Sequence, residues 1–301
     1  RLDSSFFTPC SLSSATLPGV DPYFSKYDMA IRTNHDPSIE AALDQWRHWT
    51  LGDTNDRPTL GELLGEGSAN RVYELLPMRQ QVLRFAHKSH ELSLNRSRQE
   101  IELWKLLANE GLAPAVYYHS DGGDVVITDR LSFSDVSLEA HAELCRQIHH
   151  LRPKGSQLRL TEVAATYRAA ANEKSSRTAL ETDRQSIRRD LSQLDSESPV
   201  FCHNDLSSYN VGWLGDRLLA IDWEYAAMGS PHYDVASASE GMKHNEREEF
   251  AMRVLENTFD KNLWSTACRV VPLINYLWAL ATEDHDTALS VRAVFEEHYP
   301  A

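Results

Sequence analysis

The spacing of apolar residues changes once along the chain, and this change limits the folds that the chain can adopt. Between residues 59 and 85, three short β-type segments are separated by tight turns, which predicts an antiparallel meander. One amphipathic helix comes next, and residues 125–129 have the pattern of a further strand. Helical spacing then dominates, chiefly over residues 161–194 and 246–298. We therefore expect an α+β fold with a β-rich first part and a helix-rich second part.

The pattern divides the chain into three predicted regions. Residues 1–37 contain many Ser and four Pro residues with little periodicity, which predicts an irregular N-terminal extension. Residues 38–130 form a predicted N-lobe with a lead-in helix capped by Ser38, the sheet and one helix. Residues 131–301 form a predicted helical C-lobe. A chain of 301 residues exceeds the usual size of one hydrophobic core, so two lobes joined near residues 130–135 are expected.

The charge balance limits the partners of the protein. Lys and Arg number 30 against 44 Asp and Glu, which gives a formal net charge of −14 with His neutral. A protein that grips a phosphate backbone needs a basic surface, so this excess of acids argues against nucleic acid and against an anionic membrane surface. The most apolar run, residues 270–281, is shorter than the roughly 18 residues of a spanning helix, so no integral membrane segment is expected.

The cysteines and the N-terminal stretch carry a prediction about location. The four Cys are far apart in sequence and form no CxxC pair, which predicts neither a zinc site nor a disulfide framework and favours a cytoplasmic protein. The stretch before Met29 has neither a basic n-region nor a sustained apolar h-region, so no signal peptide is predicted. Met29 itself is a candidate native start.

Residues 200–234 hold a dense set of functional side chains. A short apolar strand leads into a loop, and the loop leads into a hairpin whose turn is Gly215 and Asp216. A two-residue turn fixes the register of both strands. This register places Asn210 opposite the residue before Asp222. An amide and a carboxylate therefore approach each other at the open end of the hairpin, where cross-strand neighbours are roughly 5 Å apart.

The side chains at this end of the hairpin suit phosphoryl transfer. Mg²⁺ prefers hard oxygen ligands, which Asp222 and the Asn210 amide supply. Asp205 lies just before the hairpin, where a second carboxylate orients a hydroxyl nucleophile and accepts its proton. Together with His203, these residues have the HxDxxxxN spacing of a kinase catalytic loop. Asp and Asn beside turns are most often local hydrogen-bonding residues, but the combination with a second Asp on a hairpin favours a catalytic site.

Two stretches of this region, HNDLSSYN and AIDWEYAAMGSPHYDVA, carry a family resemblance. They resemble the catalytic and metal-binding segments of the choline/ethanolamine kinases and thiamine-kinase-like proteins, within the aminoglycoside phosphotransferase superfamily. The resemblance covers roughly residues 58–300. It implies a bilobal protein-kinase-like fold with a small antiparallel-sheet N-lobe and a larger helical C-lobe. It also implies ATP as the phosphoryl donor, Mg²⁺ as the cofactor and an alcohol group as the acceptor.

The matching motif positions imply a role for each of five residues. Asp205 would be the catalytic base, and Asn210 and Asp222 would be the metal ligands. His203 would support the catalytic loop, although a lone histidine is more often simply packed in a core. Asp234 would support the same loop from behind.

A glycine-containing turn between the first two strands is the predicted nucleotide-covering loop. Gly65, Gly67 and Ser68 lie there, and Gly lets backbone N–H groups approach phosphate closely. Asn70 takes the place of the third glycine of GxGxxG, so an ordinary hairpin turn is the alternative. The sequence has no GxxxxGK[ST] motif, which disfavours P-loop chemistry.

The third strand contributes Arg84, at the place where protein kinases carry a Lys for the α- and β-phosphates. The choline-kinase-like proteins resemble this sequence in using Arg there. Glu100 on the following helix is the predicted partner of Arg84 and a part of the ATP site. The alternative is an exposed Glu100 that pairs with Arg96 or Lys105 on its own helix.

A cationic acceptor would be held by aromatic faces and carboxylates, each cation–π contact contributing about 0.5–2 kcal/mol. The predicted acceptor residues are Trp223, Glu224, Tyr225 and Trp278. The WALA sequence that begins at Trp278 resembles the WxLW element of choline kinases, but Ala281 replaces the second Trp. Ordinary core packing of the aromatic residues and solvated surface acids are the alternatives.

These features predict an ATP- and Mg²⁺-dependent kinase for a small, cationic metabolite of the choline, ethanolamine or thiamine type. An aminoglycoside-type antibiotic phosphotransferase would share the catalytic parts and differ only in the acceptor site. A nucleotide-binding pseudokinase is the alternative of another class, and it is disfavoured because Asp205, Asn210 and Asp222 are all intact. The expected partner is a small-molecule acceptor, with a homodimer left open.

Overall fold

The computed structural model describes most of the chain between residues 36 and 299. The described residues are 36–51, 56–67, 69–87, 92, 97–153, 156–174 and 184–299. The predicted N-terminal extension up to residue 35 and the predicted loop residue Ser68 lie outside them.

An antiparallel sheet dominates the first part of the molecule. Its elements are α1 (Pro37–Asp44), β1 (Thr59–Glu66), β2 (Asn70–Leu76), β3 (Gln81–Ala86), α2 (Ser97–Asn109), β4 (Val116–His119) and β5 (Val125–Asp129). The strand order is β1-β2-β3-β5-β4, and each neighbouring pair is antiparallel. The predicted meander is confirmed. The edge strand β4 is an addition that the sequence pattern did not predict, because its four residues show no repeat of their own.

Helix α1 begins two residues earlier than the sequence pattern predicted. Asp36, and not Ser38, is the N-cap, since its carboxylate accepts a hydrogen bond from the Ser38 N–H at 2.9 Å. Pro37 takes the first helical position, where its fixed φ and missing N–H are tolerated. Pro37 therefore belongs to the helix and not to an irregular extension.

The two faces of the sheet pack into different cores. Successive residues of a strand point to opposite faces. Val125 and Ile127 of β5 accordingly pack with α1 in a small core, whereas Val126 joins a larger core. Trp104 of α2 belongs to the larger core too. Helix α2 thus precedes the connection between the lobes in sequence but shares its core with the helices that come after it.

Helices make up most of the second part. Its elements are α3 (Leu138–His150), α4 (Leu160–Lys174), α5 (Gln185–Asp195), β6 (Val200–Cys202), β7 (Val211–Leu214), β8 (Arg217–Ala220), β9 (Ala227–Gly229), α6 (Pro231–Ala238), α7 (His244–Leu255), α8 (Lys261–Thr282) and α9 (His285–His298). Strand β6 pairs with β9, and β7 pairs with β8, both antiparallel. Positive φ angles of 47° at Glu256 and 61° at Glu283 end α7 and α8, because a right-handed helix cannot continue through them.

Within the ranges that the structure describes, no helix combines the length and the apolar character needed to cross a bilayer.

The connection between the two parts is hydrogen-bonded on both sides. The Arg130 N–H donates to the Gln80 carbonyl in the β2–β3 turn at 2.8 Å. Ser132 and Trp213 exchange two backbone hydrogen bonds of 2.9 Å each, which attach the connection to β7. The sheet is therefore tied to the hairpin that carries the candidate site.

Candidate active site

The β7–β8 hairpin has the register that its two-residue turn predicted. Leu214 pairs with Arg217, and Gly215 in the turn has a φ of 65°, which only glycine adopts without strain. At the open end the Ile221 N–H donates to the Asn210 carbonyl at 2.9 Å. The residue that follows Ile221 is Asp222, so the predicted approach of the amide and the carboxylate rests on a confirmed register.

Asp205 lies at the start of this arrangement and is crowded by negative charge. The Asn210 side-chain amide donates to the Asp205 carboxylate at 2.9 Å and to the Asp205 carbonyl at 2.8 Å. Burial raises the pKa of the Asp205 carboxyl well above its ordinary value, and the charges of three neighbours raise it further: Asp222, Glu224 and Glu240. A cation bound among these groups would relieve the repulsion.

The donor set at this end of the hairpin fits Mg²⁺. The nitrogen of the Asn210 side chain is engaged with Asp205, which leaves the amide oxygen as its possible metal ligand. The Asp222 carboxylate is a second hard oxygen ligand. Asp222 has a φ of 67°, a left-handed conformation that non-glycine residues adopt at a cost, and such residues cluster at functional sites.

His203 is fully buried and supports the loop from inside. Its Nδ1 accepts a hydrogen bond from the Asp205 N–H at 3.3 Å, and its Nε2 donates to the Ile221 carbonyl at 3.0 Å. The ring also contacts the Trp223 ring, with 4.4 Å between centroids. Burial lowers the pKa of His203 to about 4, so the imidazole stays neutral at physiological pH. These contacts suit the supporting role that the sequence suggested and not a proton carrier in the cavity.

Asp234 holds the same loop from the opposite side. Its carboxylate accepts a hydrogen bond from the Asn204 backbone N–H and another from His149 Nε2 at 2.7 Å. Asp234 is 0% exposed. Asn204 itself has a φ of 66°, so the backbone just before Asp205 is held in a left-handed conformation. The predicted support of the catalytic loop by Asp234 has a direct structural counterpart.

On the sheet side, Arg84 and Glu100 form the predicted ion pair. The two guanidinium nitrogens donate to the two carboxylate oxygens at 2.9 and 3.0 Å. Burial works to lower the pKa of Arg84, but the negative charges of Glu100 and then of Asp222 outweigh it and raise the pKa. Glu100 is 4% exposed, so the alternative of a surface residue paired along its own helix is wrong. Lys105 instead pairs with Glu102.

The glycine-containing turn joins β1 to β2. The Gly67 N–H donates to the Asn70 carbonyl at 2.8 Å and closes the turn. Within the described residues, a Cβ on Gly65 would meet nothing within 4 Å, so its backbone borders open space. This geometry leaves room for a phosphate group beside the backbone, and it is also that of a hairpin turn with an irregular register.

A cavity of about 200 Å³ opens beside Asp205 and Asp222. Its acidic lining residues are Asp205, Asp222, Glu224 and Glu240. Its aromatic lining residues are Tyr167, Tyr209, Tyr225, Tyr233 and Trp278. The Trp278 indole N–H donates to the Tyr225 hydroxyl at 3.0 Å, which fixes the two rings relative to each other. Three of the four predicted acceptor residues therefore line one cavity with the carboxylates of Asp205 and Asp222.

The fourth predicted acceptor residue, Trp223, packs in the core instead. It is 0% exposed, its indole N–H donates to the Ala220 carbonyl at 3.2 Å, and it contacts His203. Trp223 therefore does not line the cavity.

Several lining residues were not predicted from the sequence. Tyr167 comes from α4, Tyr209 from the loop before β7 and Asn275 from α8. The Asn275 amide donates to the Glu240 carboxylate at 2.9 Å, and burial raises the pKa of Glu240 to about 7. A polar Asn inside an apolar helix was a usable signal for this contact. Tyr167 carried no such signal in its local pattern.

The antiparallel sheet carries a buried Arg–Glu pair, and the helical part carries a hairpin that brings Asn210 and Asp222 together beside Asp205. This combination defines a protein-kinase-like fold with a phosphotransferase type of site. The sequence model of the phosphotransferase enzyme family matches residues 61–267. The chain belongs to this family.

Individual relatives agree with the family. The chain is 31% identical over 111 residues to a LicA homologue from Metamycoplasma hominis, a match that covers 32% of this chain and 43% of that protein. The aligned part thus spans less than half of that relative. The structure is similar to choline kinase LicA from Streptococcus pneumoniae, with a TM-score of 0.68, 18% identity and coverage of 87% of this chain and 99% of that one.

A second solved structure gives the same result. It is a choline/ethanolamine kinase family protein from Mesorhizobium loti, with a TM-score of 0.66, 19% identity and coverage of 88% of this chain and 95% of that one. At these identities the likeness shows the fold. The predicted bilobal, kinase-like α+β fold is confirmed.

Proposed function

We propose that the protein is an ATP- and Mg²⁺-dependent kinase that phosphorylates a hydroxyl group of a small cationic metabolite in the cytoplasm. The acceptor is of the choline, ethanolamine or thiamine type. Nucleic acid and membrane surfaces are not expected as partners, because the net charge is −14.

One observation carries this proposal. The carboxylates of Asp205 and Asp222, which suit phosphoryl transfer, line the same cavity as an aromatic pair, Tyr225 and Trp278. Two more carboxylates, Glu224 and Glu240, complete an acidic lining. Aromatic faces and carboxylates are the groups that bind quaternary or primary ammonium ions. The two structurally similar proteins are a choline kinase and a choline/ethanolamine kinase family protein, which supports the same acceptor class.

The reaction follows from the position of each side chain. The Asp205 carboxylate, held by Asn210, accepts a hydrogen bond from the acceptor hydroxyl. As that oxygen attacks the terminal phosphorus of ATP, Asp205 takes the proton and ADP departs with the former bridging oxygen. The raised pKa of Asp205 makes it a better proton acceptor than an ordinary carboxylate.

The remaining residues bind charge and fix orientation. Asn210 and Asp222 would hold Mg²⁺, which would supply positive charge against the phosphate oxygens. Arg84, oriented by Glu100, offers a fixed cation to the nucleotide phosphates. Most of the rate acceleration therefore comes from positioning and electrostatics.

The cavity also bears on the two rival functions. Its four carboxylates would suit a polycationic aminoglycoside, which keeps an antibiotic phosphotransferase as the second candidate. Its volume of about 200 Å³ is below the roughly 300–1,000 Å³ of pockets for drug-sized ligands, which favours a metabolite of few atoms. A pseudokinase is disfavoured, because Asp205, Asn210 and Asp222 are all present at the open end of the hairpin.

The test is an acceptor screen that follows ADP release and identifies the product by mass spectrometry. Choline, ethanolamine, thiamine, aminosugars and aminoglycosides are compared, and we expect turnover with one of the first three. Turnover of aminoglycosides alone would favour the second candidate. Phosphorylation of no acceptor would favour the pseudokinase.

A matched pair of variants on α8 tests the acceptor site. Trp278→Leu removes a ring from the cavity, and Trp264→Leu removes a ring of similar burial that packs against Phe259. The loss of one cation–π contact should raise the acceptor KM about tenfold in Trp278→Leu. The acceptor KM should stay unchanged in Trp264→Leu, and an equal rise in both variants would remove Trp278 from the acceptor site.

A further inference from the structure

Helix α3 turns one buried face toward the catalytic loop. His141, Cys145 and His149 are spaced four residues apart, which places them on the same side of a helix. All three are buried. No local sequence motif connects these residues to Asp205, which lies more than 50 positions further along the chain.

His141 holds the loop just after Asp205. Its Nε2 lies 2.8 Å from the Leu206 carbonyl oxygen. A carbonyl only accepts hydrogen bonds, so Nε2 carries the proton and donates it. The imidazole also packs on the Phe250 ring, with 5.1 Å between centroids. His141 thus combines one directed hydrogen bond with one ring contact, and the two can be removed separately.

His149 holds the loop just before Asp205, through Asp234. Its Nε2 donates to one oxygen of the Asp234 carboxylate at 2.7 Å, and the other oxygen accepts from the Asn204 N–H. Without His149 the buried carboxylate of Asp234 would lose its charge-assisted partner and could rotate away from Asn204. The left-handed conformation of Asn204, with φ 66°, persists because surrounding contacts fix it.

We propose that His141 and His149 are positioning residues that clamp the backbone on either side of Asp205 and so set the place of its carboxylate in the cavity. Asn204 and Leu206 are the immediate neighbours of Asp205, and each is tied to one histidine of α3. The catalytic part of this inference rests on the proposed function of Asp205 as the base. Its structural part, the restraint of the loop by α3, does not.

A metal site is the other possible use of this face. Cys145, His149 and Asp234 offer ligand atoms that all lie within 4.8 Å of one another. A metal would need the thiolate of Cys145, whereas burial, followed by the charge of Asp234, raises the pKa of that thiol well above its ordinary value. The existing His149–Asp234 hydrogen bond would also have to break. The geometry therefore favours a hydrogen-bonded support.

Two substitutions of His141 separate hydrogen bonding from packing. His141→Phe keeps a ring against Phe250 and removes the donor to Leu206, whereas His141→Gln keeps an N–H donor and removes the ring. We expect kcat to fall tenfold or more in His141→Phe, because misplacing a catalytic group by about 1 Å costs up to about a hundredfold. His141→Gln should keep most of kcat, and the ATP dissociation constant should stay within about twofold in both. The reverse order of kcat would show that packing matters and would overturn the proposal.

The same comparison applies to His149. His149→Gln keeps a donor for Asp234, and His149→Leu removes it. Should His149→Leu not fold, His149→Asn takes its place, because the shorter amide does not reach Asp234. Ile148→Val is the matched control, since it removes one buried methyl group from the same helix and touches neither hydrogen bond. A loss of kcat in Ile148→Val equal to that in His149→Leu, at equal melting temperature, would contradict the positioning role.

Hydrogen–deuterium exchange separates this inference from the proposed function. Amide exchange in peptides covering residues 203–210 should speed up in His141→Phe and His149→Leu and stay unchanged in Ile148→Val. This measurement needs no acceptor. If the parent protein phosphorylates no acceptor, the proposed function fails. The exchange rates still test whether His141 and His149 restrain the loop. Unchanged exchange in both histidine variants overturns the clamp even if the kinase activity is found.

Discussion

The two sides of the candidate site are built in different ways. On the sheet side, Arg84 forms an ion pair with Glu100 and lies close enough to Asp222 for that charge to raise its pKa. On the hairpin side, Asp205 lies in a loop whose backbone is held on both flanks, by Asp234 through Asn204 and by His141 through Leu206. The first side presents a side chain from a strand, and the second presents a side chain from a clamped loop.

This difference predicts which kinetic constant each side of the site controls. A strand keeps its course when one side chain is removed, because its ladder of backbone hydrogen bonds remains. A loop has no ladder, so its shape depends on the side chains that reach it. Substitutions on the sheet side should therefore change mainly the KM for ATP, and those on the hairpin side should change mainly kcat.

The largest effect is expected from Asp205→Asn. Removal of the proposed base should lower kcat by about a hundredfold to ten-thousandfold while the ATP dissociation constant changes little. The pKa of Asp205 is raised in the folded protein, so its charge disfavours folding at neutral pH, and the variant should melt at the same temperature or higher. Calorimetry of ATP binding and a thermal melt check both results. Turnover close to that of the parent would remove Asp205 from the role of base.

Asp222→Asn should have the second-largest effect, and it is an expected exception to the rule that the hairpin side affects mainly kcat. Asp222 belongs to the hairpin side, but its proposed role is to hold the Mg²⁺ of the nucleotide, so Mg²⁺·ATP affinity should fall about 10- to 100-fold. Asn tolerates the left-handed backbone at this position better than most residues, which keeps the local fold intact. A magnesium titration at fixed ATP measures the change. An unchanged magnesium requirement would exclude Asp222 as a ligand.

Glu100→Gln tests the sheet side, because it breaks the Arg84–Glu100 ion pair. Breaking a buried ion pair on one side leaves an uncompensated charge and should lower the free energy of unfolding by about 3 kcal/mol. The KM for ATP should rise several-fold because Arg84 loses its orientation, with a smaller change in kcat. In the double variant with Arg84→Met, stability should recover while ATP binding does not.

The control for this pair is an ion pair of the same type at the surface. Glu296→Gln breaks the bond to Arg292, whose side chain is 46% exposed, and should change the free energy of unfolding by less than about 1 kcal/mol. Equal losses in Glu100→Gln and Glu296→Gln would mean that burial of the Arg84–Glu100 pair has no energetic consequence.

The smallest effect concerns the pH dependence of acceptor binding. Burial raises the pKa of Glu240 to about 7, so this carboxylate gains its charge as the pH rises through neutrality. The affinity for a permanent cation such as choline should increase up to about fivefold over that range. Glu240→Gln should flatten this profile, and Glu246→Gln at the surface should not.

The raised pKa of Glu240 also makes the stability of the protein depend on pH, in the direction opposite to acceptor binding. The pKa of Glu240 is higher in the folded protein than its ordinary value of 4.5, so the folded state binds more protons between 4.5 and about 7. The free energy of unfolding should therefore fall as the pH rises through this window, and Glu240→Gln should remove that part of the fall. Chemical denaturation at a series of pH values measures it. An identical slope in the variant would contradict the assignment.

The sequence predicted the hairpin side well and the cavity wall less well. The hairpin register follows from a two-residue turn, which is a local property, so Asn210 and Asp222 could be placed together from sequence. Trp223 was assigned to the acceptor site because an aromatic face can hold a cation, but its burial at 0% exposure removes it. Tyr167 was missed, since a single Tyr on an amphipathic helix has no pattern that distinguishes a cavity wall from ordinary packing.

By itself, the sequence determined the change from a strand-rich to a helix-rich part, the register of the hairpin and the residue types needed for phosphoryl transfer. These features depend on turns, spacing and side-chain chemistry, all of which act over a few residues. Only the tertiary structure decided which groups restrain Asp205 and which raise its pKa. His141 contacts Leu206 across 65 positions, and His149 contacts Asp234 across 85. Contacts at such separations are set by how helices pack on one another, and burial shifts a pKa only once that packing has excluded water.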